Sequence, residues 1–180
     1  MSDPTTSGRT KLRAAVEAVR VFLDQLHFDL GDQAAIIAFN REAQLLQGLT
    51  PDRAALDRAL DAIQVAEQTC IVCGVSVADE ELASPHRDAD NVPVMILLTD
   101  GKSNPRPASE AVDRARVAKD RGVIIFTIGL GEELDEAALI EIASGRGYFY
   151  RTPDAEDLAR IYASIAVTIP CSTSAYWGGR

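Results

Sequence analysis

The sequence predicts an α/β fold, a mostly parallel sheet with helices on both faces. Strand-like and helix-like patterns alternate, with short connections, across nearly all of its 180 residues, and such alternation builds a parallel-rich layered sheet. Two runs, Val92–Leu98 and Val123–Gly129, are almost continuous branched apolar stretches, the habit of strands buried on both faces. The first stops abruptly at Thr99-Asp100-Gly101, which puts a carboxylate at the strand's carboxyl end, the rim where open α/β sheets bind ligands. An Asp-Gly pair alone is equally a turn start. The rest of the chain decides its meaning.

Met1 to Thr10 is polar, with Pro4 and Gly8, and reads as a lead-in. From Lys11 a helix is expected, because Leu12, Ala15, Val16, Val19, Phe22, Leu23 and Leu26 recur at helical spacing. Thr10 is placed to cap it, and Asp29 to Asp32, with Gly31, ends the segment. Gln33–Phe39 reads as a buried strand and Ala43–Gln47 as a shorter one, joined by the polar turn Asn40-Arg41-Glu42 in an antiparallel hairpin. Thr50-Pro51 predicts a helix start, threonine as N-cap and proline in the first turn, running to Ala62. A third helix is expected from Thr69 or Cys70 to Ala83, followed by a charged loop, Ser84–Asn91. Beyond the Thr-Asp-Gly turn, Lys102–Pro107 reads as a loop and Ala108–Arg121 as a helix stopped by Gly122. Asp135–Ser144 is a short helix, Tyr148–Tyr150 a short strand and Asp154–Ala166 a last helix. The expected organisation is a lead-in over 1–10, one domain over 11–167 and a tail over 168–180.

Composition narrows the function classes. Hydrophobic residues make up 47% and charged residues 25%, an ordinary globular mix. The net charge of −9 argues against a nucleic-acid partner, which needs basic surface; it suits a cation or a basic protein surface. No apolar run reaches the roughly 18–20 residues of a membrane span. There is no nucleophile elbow, Cys–His catalytic pairing or acid/base carboxylate pair, so an enzyme is not expected. Gly129-Leu130-Gly131 follows a strand but lacks the third glycine of a dinucleotide loop, and Glu132-Glu133 would repel phosphate.

The segments KLRAAVEAVRVFLDQL, GDQAAIIAFNREAQLLQGLT, TCIVCGV, VMILLTDGKSN, VIIFTIGLG and YFYRT together resemble the von Willebrand factor type A family, over nearly the whole chain. The resemblance implies a doubly wound, Rossmann-like sheet with one antiparallel edge strand, Ala43–Gln47. It also implies a metal-ion-dependent adhesion site for Mg²⁺, or for Ca²⁺ or Mn²⁺, built from an Asp-x-Ser-x-Ser loop, a threonine before a helix and the aspartate of a Thr-Asp-Gly turn. Thr69 matches the second element and Asp100 the third. Hard cations favour such oxygen donors, and an open position would accept a carboxylate from a partner protein. Taken without the resemblance, Thr69 is as readily a helix N-cap. Relatives of this form imply an extracytoplasmic setting.

The chain departs from the family at its start. No apolar strand precedes Lys11, so the first strand and the Asp-x-Ser-x-Ser loop are expected to be missing and the metal site incomplete, with the cation itself absent as one outcome. A second reading takes Asp3-Pro4-Thr5-Thr6-Ser7 as a degenerate version of the loop. By family topology the missing strand would lie between Gln33–Phe39 and Val92–Thr99, leaving unpaired edges prone to aggregation. Either the chain is part of a longer polypeptide, or those two strands pair directly.

Cys70, Cys73 and Cys171 are odd in number, so one thiol at least lacks an internal partner. Cys70-Ile71-Val72-Cys73 begins a predicted helix; zinc would need two more ligands, and Cys171, His27 and His86 are widely scattered. A Cys70–Cys73 bond closes more easily than one to Cys171, unless the tail folds back. Trp177 and Tyr176 mark a tail of unassigned role. The functional expectation is a non-enzymatic protein-interaction and adhesion module with an incomplete site at Thr69 and Asp100. The alternative is a metal-independent structural or assembly subunit.

Overall fold

The computed structural model describes residues 10–64 and 66–170. Their strands are β1 (Ala34–Phe39), β2 (Ala43–Thr50), β3 (Val94–Thr99), β4 (Ile124–Leu130) and β5 (Phe149–Thr152). The helices are α1 (Lys11–Leu23), α2 (Arg53–Asp61), α3 (Ile71–Leu82), α4 (Ala108–Asp120), α5 (Glu136–Ile142) and α6 (Leu158–Thr168). The fold is α/β with helices on both sides of the strands. Residues of α1, α2 and α6 share one apolar core with Ile36, Phe126, Ile128 and Leu130. Residues of α3, α4 and α5 share the other with Met95, Leu97 and Ile125. Alternate residues of β4 thus feed opposite cores, as the period-two geometry of a strand requires.

The strands form two separate sheets: β1 and β2 as an antiparallel pair, and β3-β4-β5 in parallel. The antiparallel hairpin is as expected, with β2 running on to Thr50 rather than ending at Gln47. Direct pairing of β1 with β3 does not occur among the described residues. Both strands are also less buried than their sequences imply. In β1 only Ile36 is fully buried; in β3 Met95, Leu97 and Thr99 are buried while Val94, Ile96 and Leu98 are half-buried. Among the described residues the Val92–Leu98 run therefore serves an outer strand of its sheet, and β4 takes the central place.

The two sheets nevertheless run side by side. Past the carboxyl end of β1, the Asn40 carbonyl accepts from Cys70 N–H at 2.6 Å, and the adjacent Thr69 forms a bridge with Asn104, beyond β3. At the amino ends, Gln33 donates to the His86 carbonyl (3.0 Å) and accepts from Asp88 N–H (2.8 Å), and Asn91 Nδ2 donates to the Gly31 carbonyl (2.8 Å). Both ends of β1 are thus tied to loops flanking β3, and the two strands point the same way. Helix α3 packs against β1, β2 and β3 alike.

Local chemistry sets the helix ends. Thr10 caps α1, its hydroxyl accepting from Arg13 N–H. The helix stops at Leu23, short of Leu26, which still packs on the core. Helix α2 is capped not by Thr50 but by Asp52, whose carboxylate accepts from Ala54 and Ala55 N–H; Thr50 stays in β2. Gly122 takes a left-handed φ of 88° after α4, a conformation that suits glycine. Burial lowers the pKa of the Lys119 ammonium, which donates to the Glu141 and Ala143 carbonyls where α5 ends, a favourable place for a cation. Asp79, fully buried on α3, pairs with Arg114 and Arg121 and fixes α3 to α4. Burial pushes the Tyr162 phenol pKa up. His27 is exposed beside Asp32 at the end of the α1–β1 connection. No helix among the described residues is long and apolar enough to cross a membrane.

Candidate functional site

Parallel strands direct their carboxyl ends to one rim, and the loops there bring the predicted residues together. Gln68 adopts a left-handed φ of 74°, unusual for a non-glycine residue, just before Thr69. Thr69 N–H donates to the Asn104 carbonyl (3.1 Å) and Asn104 N–H returns the bond (3.0 Å). Helix α3 takes Cys70, not Thr69, as its N-cap, and Cys70 makes no side-chain capping bond. The Thr69 hydroxyl is therefore not committed to capping.

Asp100 leaves β3 into a tight turn in which the Thr99 hydroxyl donates to the Gly101 carbonyl (3.2 Å). A Cβ placed on Gly101 would lie 3.5 Å from Thr69 Oγ1. The Thr69 hydroxyl thus lies beside the Asp-Gly turn, and a Cβ at 101 would sit at ordinary van der Waals distance from it. On its other side Asp100 lines an open pocket of about 400 Å³ with Lys11, Gly131, Glu132, Glu133 and Pro153. These residues come from the start of α1 and the loops after β3, β4 and β5. Lys11 Nζ lies 3.7 Å from the position a Cβ would take on Gly131.

The residues suit a hard cation in kind but fall short in number. A hydroxyl and a carboxylate are oxygen donors of the right class, whereas Mg²⁺ needs six and Ca²⁺ six to eight. No group of three His, Cys, Asp or Glu side chains able to hold a metal occurs among the described residues. Lys11 also brings a positive charge to the rim. The alternative loop Asp3–Ser7 lies outside the described residues, as do Cys171, Tyr176 and Trp177.

Four residues at the rim are not singled out as site residues by the sequence. Glu132 and Glu133 were weighed only as obstacles to phosphate, yet an acidic pair directly after a buried strand is itself a signal for the rim. Asn104 left no such signal, because its role comes through its backbone. Lys11 is hidden by its place in the first turn of an amphipathic helix. The cysteines resolve into a Cys70–Cys73 disulfide with Cα atoms 5.3 Å apart. Cys70 is fully buried and Cys73 half-buried.

The von Willebrand factor type A domain model matches residues 3–164. A UPF0353 protein of Mycobacterium sp. (strain KMS) is 30% identical over 188 aligned residues, covering 91% of this chain and 56% of the relative. The chain therefore spans about half the length of the curated relatives it matches. Among solved structures, proximal thread matrix protein 1 of the mussel byssus is similar, with a TM-score of 0.78 and 26% identity over 88% of this chain and 41% of that one. A structure of that mussel protein with a zinc-occupied MIDAS motif gives a TM-score of 0.71 and 24% identity, over 86% and 39%.

Proposed function

The chain belongs to the von Willebrand factor type A domain family, and from that premise we propose that it binds another protein through the rim above β3 and β4. One observation carries this reading: the Thr69 hydroxyl lies beside the turn that holds Asp100, 3.5 Å from the position a Cβ would take on Gly101. Thr69 and Asp100 are the residues that would hold Mg²⁺ or Ca²⁺. When bound, such an ion supplies a Lewis-acidic point that accepts a carboxylate from a partner. The mussel protein of similar fold carries a zinc-occupied MIDAS motif, which favours a cation in this proposal.

The chain's own residues shape the contact. Asp100, Glu132 and Glu133 make the rim acidic and disfavour nucleic acid. The Thr69–Asn104 bridge holds the hydroxyl in register with the turn. The module works by binding, not by catalysis. Titrating the protein with Mg²⁺ in a calorimeter should give weak binding, roughly millimolar, that disappears in Asp100→Ala. Tight binding that depends on Asp100 would overturn the incomplete-site reading.

A metal-independent scaffold is favoured by a separate observation, the Lys11 ammonium at the same pocket. If that charge replaces a cation, Lys11→Ala should not create Mg²⁺ binding, and chelator should leave partner binding unchanged. If it only opposes a cation, Lys11→Ala should strengthen Mg²⁺ binding several-fold.

A further inference from the structure

We propose that the Cys70–Cys73 disulfide is a thiol-exchange site attached to the rim, open to small or protein thiols at Cys73 and able to loosen the Thr69 loop when reduced. Three observations carry the inference. The two sulfurs differ in access: Cys70 is 0% exposed, whereas Cys73 is half-buried beside exposed Arg41 in the β1–β2 turn. Cys70 occupies the N-cap of the twelve-residue helix α3, where no side chain caps the first turn. Cys70 also follows Thr69 directly and fixes the Asn40 carbonyl at 2.6 Å.

Together they give exchange a direction. An incoming thiolate attacks along the S–S axis, and of the two residues only Cys73 keeps solvent-exposed surface. Its attack forms a mixed disulfide on Cys73, breaks the S–S bond and leaves the electron pair on Cys70. The Cys70 sulfur released in this way takes up a proton from solvent. A second thiol attacks the mixed disulfide and leaves Cys73 as a thiolate that takes up a proton. The net change oxidises two external thiols to one disulfide and reduces the Cys70–Cys73 pair by two electrons. The Arg41 carbonyl, 3.9 Å from Cys73 Sγ, then offers the new thiol an acceptor that the disulfide cannot use.

Reduction removes the crosslink from the first turn of α3. Its effect on function rests on the proposed role of Thr69, whereas the exchange chemistry does not. The backbone around residue 70 is shared with the rim: Cys70 N–H binds Asn40, and Thr69 is bridged to Asn104. Loosening there therefore reaches Thr69.

The test uses the full chain carrying Cys171→Ser, so that only these two sulfurs can react. The folded protein is treated with reduced and oxidised glutathione, acid-quenched and mapped by mass spectrometry. The expected result is reversible exchange without denaturant, with roughly tenfold more glutathione on Cys73 than on Cys70. A bond that resists millimolar glutathione until the protein is unfolded would overturn the proposal, as would preferential labelling of Cys70. Because no substituted Cys70 or Cys73 is needed, a variant's failure to fold cannot obscure the outcome. Amide hydrogen exchange at Asn40, Thr69, Cys70 and Asn104 then reads the coupling. A several-fold rise on reduction is expected, and unchanged rates would overturn the link to the rim. Neither readout involves a metal or a partner, so the Mg²⁺ titration can fail while this inference stands.

Discussion

β4 and β1 are built from similar apolar residues and have different fates. Six of the seven residues of β4 are buried, against one of six in β1. The difference lies in neighbours: among the described residues β4 is hydrogen-bonded on both edges, by β3 and β5, and β1 on one, by β2. Apolar composition sets which segments become strands, but the number of flanking strands decides how far their side chains leave water. The half-molecule around β4 is held by apolar packing. Around β1, polar ties add to the shared core, including an ion-pair network in which Arg20 and Arg53 both reach Asp57.

Truncating one branched side chain in each strand should expose this difference most strongly. Ile128→Ala, in β4 at 0% exposure, should cost about 2–5 kcal/mol by the range for buried large-to-small changes. Ile37→Ala in half-buried β1 should cost roughly 1 kcal/mol, the typical point-mutant value. Urea unfolding measures both, and equal losses would mean that β1 is as densely packed as β4.

Adding a methyl group sharpens the contrast. A Cβ on Gly129 in β4 would lie 2.6 Å from Leu134 Cδ1 and 3.3 Å from Leu139 Cδ1. Gly129→Ala should therefore destabilise by about 1–3 kcal/mol, the usual overpacking range. At Gly74 on α3 the Cβ would meet the Phe39 ring of β1 at 2.9 Å. That ring is half-buried, and alanine regains about 1 kcal/mol of helix propensity. Gly74→Ala should thus fall closer to wild type than Gly129→Ala in thermal melts; the reverse order would locate the tighter packing under α3.

The smallest effect is electrostatic. Burial opposes ionisation of Asp57, but hydrogen bonds from Arg20 and Arg53 outweigh it and hold the carboxyl below its ordinary range. A carboxyl whose pKa is depressed on folding stabilises the protein fully above its unfolded value of about 3.9 and loses that contribution as pH falls through the folded value. Stability should hold from neutral pH to about pH 5 and then decline, with Asp57→Asn flattening part of that decline. The side chain is 36% exposed, so solvent screening limits the effect to a few tenths of a kcal/mol up to about 1. Melts at low and high salt check it, and an acid response independent of Asp57 would remove these ion pairs from the account of the β1 half.

Much of the fold was legible because its signals are periodic and local. The amphipathic α1 with its Thr10 cap, the β1–β2 turn and the stop at Gly122 each follow from neighbouring residues. The run ending at Asp100 was legible as a strand, and the resemblance already implied an unpaired edge beside it; how little of its outer face would be buried was not legible, because sequence records which faces are apolar and is silent about what covers them. Thr50-Pro51 looked like a helix start since its chemistry fits one; Asp52 won by offering a carboxylate to two amides. At the candidate site Thr69 and Asp100 could be named from the resemblance. Lys11 could not, because its position depends on how α1 docks against three distant loops.

The fastenings at both ends of β1 also limit how the molecule can deform. Sliding the two half-sheets past one another along the strand direction would strain the Asn40–Cys70 bond at one end and the Gln33 and Asn91 bonds at the other. Slippage along the strands is thereby opposed at both ends of β1 at once.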